Sequence, residues 1–231
     1  MRDLSDKKNR QYALVSVVFT ILTNQAVYQG SKFINLHYPA WDVSLPIDHT
    51  FKFHPWTLSI YLGAYVIWFV SYFIIALQDD RSKSERFFSA ILLTRVFLLL
   101  FFLALPTSAD IRPEITGTSF WGKFTHFIYG VDPPINYFPS LHCMASWFCF
   151  IGVRGKKEFP IWWQVVSFIL AIAVFISTIT TRQHVIIDIP GGIVFAELCY
   201  ALSDYKGVQK FYTRISTWIM RTLFHWNSIE G

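Results

Sequence analysis

Residues 161–180 read IWWQVVSFILAIAVFISTIT, twenty positions without one Asp, Glu, Lys or Arg. As a helix rising 1.5 Å per residue, that run spans ~30 Å, the depth of a bilayer's hydrocarbon core. In lipid the backbone must satisfy its own hydrogen bonds, so the helical reading follows from the setting. Working outward, five further apolar segments of similar character run over about 12–28, 56–77, 87–105, 138–153 and 188–203. The expectation is an all-α integral membrane protein, a six-transmembrane-helix bundle forming a single domain over residues 1–231. The segments at 138–153 and 188–203 are short and polar at one end, so their outer turns are expected to line a water-filled cavity.

Composition agrees. Of 231 residues, 53% are hydrophobic, 19% aromatic and 15% charged, whereas a soluble domain carries roughly 25% charge. So much Phe, Trp and Leu excludes disorder and collagen, and three cysteines exclude a disulfide scaffold. Cys143, Cys149 and Cys199 fall in apolar stretches and read as small buried hydrophobes. No internal repeat is visible. The charged start followed by the 12–28 run reads as a retained first span, since no small-residue cleavage site ends it.

Basic residues set an expected orientation. Fourteen of the 20 Lys and Arg fall on one side: Arg2, Lys7, Lys8, Arg10, Arg81, Lys83, Arg86, Arg154, Lys156, Lys157, Lys206, Lys210, Arg214 and Arg221. Lys32, Lys52, Arg112, Lys123 and Arg182 fall on the other, with Arg95 inside the third span. Positive-inside bias then puts both termini in the cytoplasm. The net charge of +5 is a topology signal, and no nucleic-acid motif accompanies it. Residues 206–226 mix apolar and basic positions at helical spacing and are expected to lie on the inner leaflet as an interfacial helix. The compact form without long glycosylated loops fits a bacterial cytoplasmic membrane.

Six of seven histidines map to the outer side, with Asp42, Asp48, Asp110, Glu114, Asp132 and Asp188. His37, His49, His54 and His126 read as solvated loop residues, and His49 with His54 lacks a third metal ligand. Two segments carry chemistry. Asn136-Tyr-Phe-Pro-Ser-Leu-His142 enters the fourth span with Pro139 in its first turn. The free amides there, beginning near Ser140 and Leu141, together with the Ser140 hydroxyl form an anion cradle. Ser177-Thr-Ile-Thr-Thr-Arg-Gln-His-Val-Ile-Ile-Asp188 leaves the fifth span and enters the sixth. His184 and Asp188, four apart, share one helical face, so the carboxylate can orient the ring and leave its second nitrogen free. One span down and one back returns His142 and His184 to the same membrane face, joined there by Arg112 and Arg182. Such a set suits a phosphate monoester or diphosphate.

These residues resemble the type 2 phosphatidic acid phosphatase superfamily over roughly 105–192. The second family motif is present as Pro139-Ser140-Leu141-His142. The third is partly present, as Ser177 and Thr178 followed by His184 and Asp188. The first keeps only Arg112-Pro113, with Leu105 where the family has lysine. Thr178 stands where the family has arginine; if the fifth span stays helical to its end, Arg182 lies one turn above and supplies the charge. Lys123 is the nearest candidate for the lost lysine. The resemblance implies an integral-membrane lipid phosphatase on the outer face, acting on a phosphatidate-like or polyprenyl phosphate or diphosphate. Catalytic roles would fall to His184 as nucleophile, Asp188 as its orienter and His142 as general acid. Arg112, Arg182, Ser140 and Leu141 would bind phosphate, with no metal and no cofactor. A head-group phosphotransferase, a metal-dependent membrane hydrolase and a non-catalytic membrane protein or transporter are the competing readings. Arg95 is expected to pair with an intramembrane polar group or to serve function.

Overall fold

The computed structural model describes residues 6–78, 80–115 and 119–225. Within them the chain forms eight α-helices. These are α1 (Lys7–Asn35), α2 (Leu58–Ala76), α3 (Arg81–Ala104), α4 (Phe120–Val131), α5 (Leu141–Ile151), α6 (Ile161–Thr180), α7 (Asp188–Leu202) and α8 (Lys206–Phe224). The β-structure among these residues is one two-residue parallel pairing, β1 (Trp41–Asp42) on β2 (Thr107–Ser108). Helix starts are set by short polar side chains. Asp6, Asp80, Ser119 and Ser140 each accept a hydrogen bond from an amide of the first turn they precede.

Three helices are apolar and long enough to cross a bilayer: 55–76 including the turn before α2, then α3 and α6. They coincide with three of the six expected spans. The other three fall on α1, α5 and α7, whose apolar signal is diluted. Asn24, Gln25, Gln29 and Lys32 of α1 and His142 of α5 face a cavity, while α5 and α7 have only 11 and 15 residues. Exposed apolar side chains such as Val66, Ile161, Ile169 and Leu198 cover the outside of the bundle. That surface is made for lipid rather than water.

Helix α5 is the axis of the molecule, enclosed by α2, α6 and α7, while α1 pairs with α3. At one end the connections carry charge pairs: Lys83 with Glu158, Arg86 with Asp204 and Arg154 with Glu197. At the other end lie the segments 36–57, 105–115, 119–140 and 181–187. Helix α4 belongs to this second end and went unforeseen in the sequence, because it is short and lies between spans. The tail helix α8 covers most of the 206–226 stretch. It docks on α3 and α1, with Tyr212 buried, bonded to Ser16 at 2.8 Å and stacked on Phe88. Only its other face, with Phe211, Trp218 and Leu223, is exposed. Trp226, the last residue assigned to the tail, and Arg2 lie outside the described residues.

Close packing of α5 on α7 depends on Gly192. A Cβ there would fall 2.7 Å from Cys143 Cβ and 3.1 Å from the Met144 amide nitrogen, which is backbone and cannot rotate away. Small residues at such crossings let membrane helices approach. Gly192→Ala is expected to cost about 1–3 kcal/mol through overpacking, seen as a lowered melting temperature in detergent. An unchanged melting temperature would show that the two helices can part without loss.

Candidate active site

Residue Ser140 ends the irregular segment 132–139 and caps α5, its Oγ accepting from the Cys143 amide at 3.2 Å. The helix therefore begins at Leu141, two residues later than Pro139 suggested, and the amides of Leu141 and His142 open it without intrahelical partners. Ser140 is fully buried in its capping role, so the anion cradle reduces to those amides. Leu141 and His142 line a cavity of about 290 Å³ between α1, α2, α4 and this turn.

The His142 ring is held in an aromatic box. Tyr61 stacks on it at 4.0 Å between centroids, Tyr65 meets it edge-on at 5.6 Å and Trp68 lies at 5.2 Å. Its Nε2 is buried without a hydrogen-bond partner. Across the cavity, the His184 ring centroid is 5.7 Å away.

His184 reaches Asp188, as expected, but by a turn rather than a helical face. Helix α6 ends at Thr180, and the amides of Gln183 and His184 both return to the Thr178 carbonyl. Asp188 then opens α7, and its Oδ2 accepts from the Val185 amide at 3.1 Å and faces His184 Nδ1 at 3.0 Å. The carboxylate is fully buried. With Nδ1 engaged, Nε2 is the nitrogen left for chemistry.

The turn is clamped from outside by residues 45–57. Buried Asp48 accepts from the Ile186 amide at 2.7 Å and the Leu45 amide at 2.8 Å. Further along, the His54 amide donates to the Thr180 carbonyl at 2.9 Å. Arg182 belongs to this clamp. The helix does not continue to it: Arg182 adopts a left-handed backbone, φ 56°, and its guanidinium donates to the carbonyls of Asp48, His49 and Phe51. Its charge is spent on the loop, away from the residues that line the cavity, which corrects the expectation that it replaces the family arginine.

Arg112 does line the cavity. Its Nη2 donates to Gln183 Oε1 at 2.7 Å, Nη1 to the Asp132 carbonyl at 2.7 Å and Nε to the Tyr137 hydroxyl at 3.2 Å, with Tyr129 beneath the guanidinium at 4.4 Å. Burial pushes the Tyr137 phenol up to about 12 despite the pull of Arg112. It therefore stays protonated at neutral pH.

Two cavity residues were missed in the sequence. Lys32 of α1 is 8% exposed, with its Nζ 3.2 Å from Asp132 Oδ1, an aspartate that also accepts from Tyr28 at 2.7 Å. Gln183 Nε2 is buried without a partner. In the sequence Lys32 reads only as a topology residue, and the one signal at Gln183 is its place beside His184. Lys123, the earlier candidate for the lost lysine, is exposed on α4 and does not line the cavity.

The described residues thus form an all-helical bundle with an apolar exterior and, at one end, a cavity lined by hydrogen-bond donors. A family model described as the PAP2 superfamily matches residues 25–202. The chain belongs to that superfamily, the type 2 phosphatidic acid phosphatases, and membership supports a phosphatase-type activity on lipid phosphates. No curated protein and no solved structure matches it.

Proposed function

We propose that this protein is an integral-membrane phosphatase that hydrolyses a lipid phosphate or diphosphate through a phosphohistidine, without a metal. The observation that carries the reading is the cavity itself, where a His–Asp pair faces a second histidine amid donors lacking acceptors. Buried Gln183 Nε2 and His142 Nε2 have no partner, and Leu141 and His142, whose amides open α5 without intrahelical partners, line the same space. A phosphate, which is rich in acceptors, satisfies all of them.

In the first step His184 Nε2 attacks phosphorus in line and the bond to the lipid oxygen breaks, while His142 donates its proton to that oxygen. In the second, His142 takes a proton from water as its oxygen attacks phosphorus, the P–N bond breaks, and phosphate leaves. Arg112, Lys32, Gln183 and the α5 amides hold the equatorial oxygens, where stabilisation of developing charge counts most. Six spans, with α1, α5 and α7 completing the three most apolar helices, would place both termini in the cytoplasm and this cavity at the outer face.

The test is phosphate release by purified protein from phosphatidate, diacylglycerol pyrophosphate and a polyprenyl diphosphate, with EDTA present. Release that persists in EDTA is expected; a chelator-sensitive activity, or none on any of the three, would end the proposal. Lys32→Met should lower kcat/KM by about ten- to a hundredfold, the loss of a charge-assisted bond. Unchanged kinetics would remove Lys32 from the phosphate site. For sidedness, Lys123 and Lys157 are both exposed, and Cys143, Cys149 and Cys199 are buried. An impermeant maleimide applied to intact cells is expected to label Lys123→Cys and spare Lys157→Cys; the opposite pattern would invert the orientation.

A further inference from the structure

Arg95 lies within the apolar run of α3, one of the three long apolar helices, and is 3% exposed. Its Nε and Nη1 are buried without a hydrogen-bond partner, and no ion pair among the described residues includes it. A guanidinium at that depth costs several kcal/mol unless something accepts from it. It lines an apolar groove of about 310 Å³, bounded by Val17 and Ile21 of α1, Val66 and Phe69 of α2, and Ala145 of α5. Tyr72, the hydroxyl nearest to hand on α2, is committed to the Ala145 carbonyl at 3.0 Å.

The groove adjoins the catalytic cavity. Asn24, Gln25, Tyr65 and Trp68 line both. Ala145 is three residues beyond His142 on α5, a rise of about 4.5 Å. A lipid with its phosphate between His142 and His184 therefore has its first chain atoms entering this groove, and a chain carbonyl, a few bonds from phosphorus, within the depth that a long arginine side chain covers.

We propose that the α1–α2 groove receives the acyl chains of the substrate lipid and that Arg95 hydrogen-bonds a chain carbonyl oxygen. The inference rests on the phosphatase reading for where the phosphate sits, and it narrows the substrate to lipid phosphates with ester or amide carbonyls. A polyprenyl chain offers no acceptor and leaves the guanidinium desolvated and unpaired. A site built around a buried donor discriminates strongly against ligands lacking its acceptor.

The test compares dioleoyl phosphatidate with its dialkyl ether counterpart, which lacks both carbonyls, on the full-length protein in detergent micelles. Two readouts are taken: lipid-induced thermal stabilisation, which needs no turnover, and phosphate release. Wild type is expected to bind the ester lipid roughly tenfold or more tightly than the ether. Arg95→Met should bring that ratio to near one, and Arg95→Lys, which keeps a donor, should retain part of it. Monodisperse elution and a cooperative melt establish that each variant folds. Equal affinity of wild type for the two lipids, or an undiminished preference in Arg95→Met, overturns the assignment. Ester-selective binding without release of phosphate would uphold the groove and refute the phosphatase.

Discussion

Replacing His184 with glutamine is expected to lower kcat by about 10⁴-fold or more, in a protein that still folds and still binds lipid phosphate. Glutamine can keep a hydrogen bond to Asp188 but has no nucleophilic nitrogen. His184 Nδ1 is already engaged by Asp188 at 3.0 Å, so only Nε2 can attack. Asp188→Asn should be nearly as severe. The Oδ2 atom serves both His184 and the Val185 amide, and an amide nitrogen turned toward either one loses that acceptor. Turned toward the ring, it selects the tautomer with its proton on the attacking nitrogen. The direct check is chemical: wild type quenched within milliseconds of mixing with ³²P-labelled phosphatidate should carry an acid-labile, alkali-stable phosphoryl group, and His184→Gln should carry none. A labelled His184→Gln, or turnover above a few per cent of wild type, would mean that water attacks phosphorus directly and that His184 does something else.

Much of this site was readable from spacing. The Pro139-Ser140-Leu141-His142 run and the four-residue interval from His184 to Asp188 place two histidines at one end of the bundle because a single helical hairpin, α5 and α6, separates them. What spacing could not give was the reason the His–Asp contact forms. Helical periodicity suggests a shared face, whereas the structure makes the contact from Asp188 as the first residue of α7, its carboxylate closing a turn on the Val185 amide. The same turn decides Arg182. A helix continued past Thr180 would have raised its guanidinium toward the phosphate; the left-handed backbone at Arg182 sends it to the carbonyls of residues 48–51 instead. No local pattern announces that, since the acceptors lie some 130 residues away in sequence.

The spans were legible in proportion to how unbroken their apolar runs are. α2, α3 and α6 carry long apolar runs and read without ambiguity. Helix α1 has one polar stripe, Asn24, Gln25, Gln29 and Lys32, which looks like a weak membrane signal until the cavity it lines is seen. On the proposed reading that stripe also supplies the counterpart of the missing family lysine. The first motif in this chain retains Arg112 and lacks the lysine, yet a lysine reaches the cavity from another helix, with its charge held by Asp132 until phosphate competes for it. Gln183 adds a neutral donor beside Arg112. On the proposed reading the phosphate clamp is assembled from different parts, with one full charge fewer where Thr178 replaces arginine, and a lower affinity for inorganic phosphate is expected.

Loss of His142 is expected to be large but conditional. General acid catalysis contributes about 10²–10⁴-fold, and only when the leaving group needs a proton. A lipid alkoxide is a poor leaving group, so His142→Ala should lose the whole of that factor on phosphatidate. Its ring is boxed by Tyr61, Tyr65 and Trp68, and truncation leaves a space that the stacked Tyr61 cannot fill; His142→Phe, which keeps the stack, controls for packing. On p-nitrophenyl phosphate, whose phenolate departs unaided, the first step should proceed in either variant at nearly the wild-type rate. The released nitrophenol should then appear as a burst, because the phosphohistidine persists when no base activates water. A burst with slow turnover assigns both proton transfers to His142. An equal loss on both substrates, without a burst, would assign the ring to phosphate binding instead and leave the general acid to be sought among the cavity's other donors.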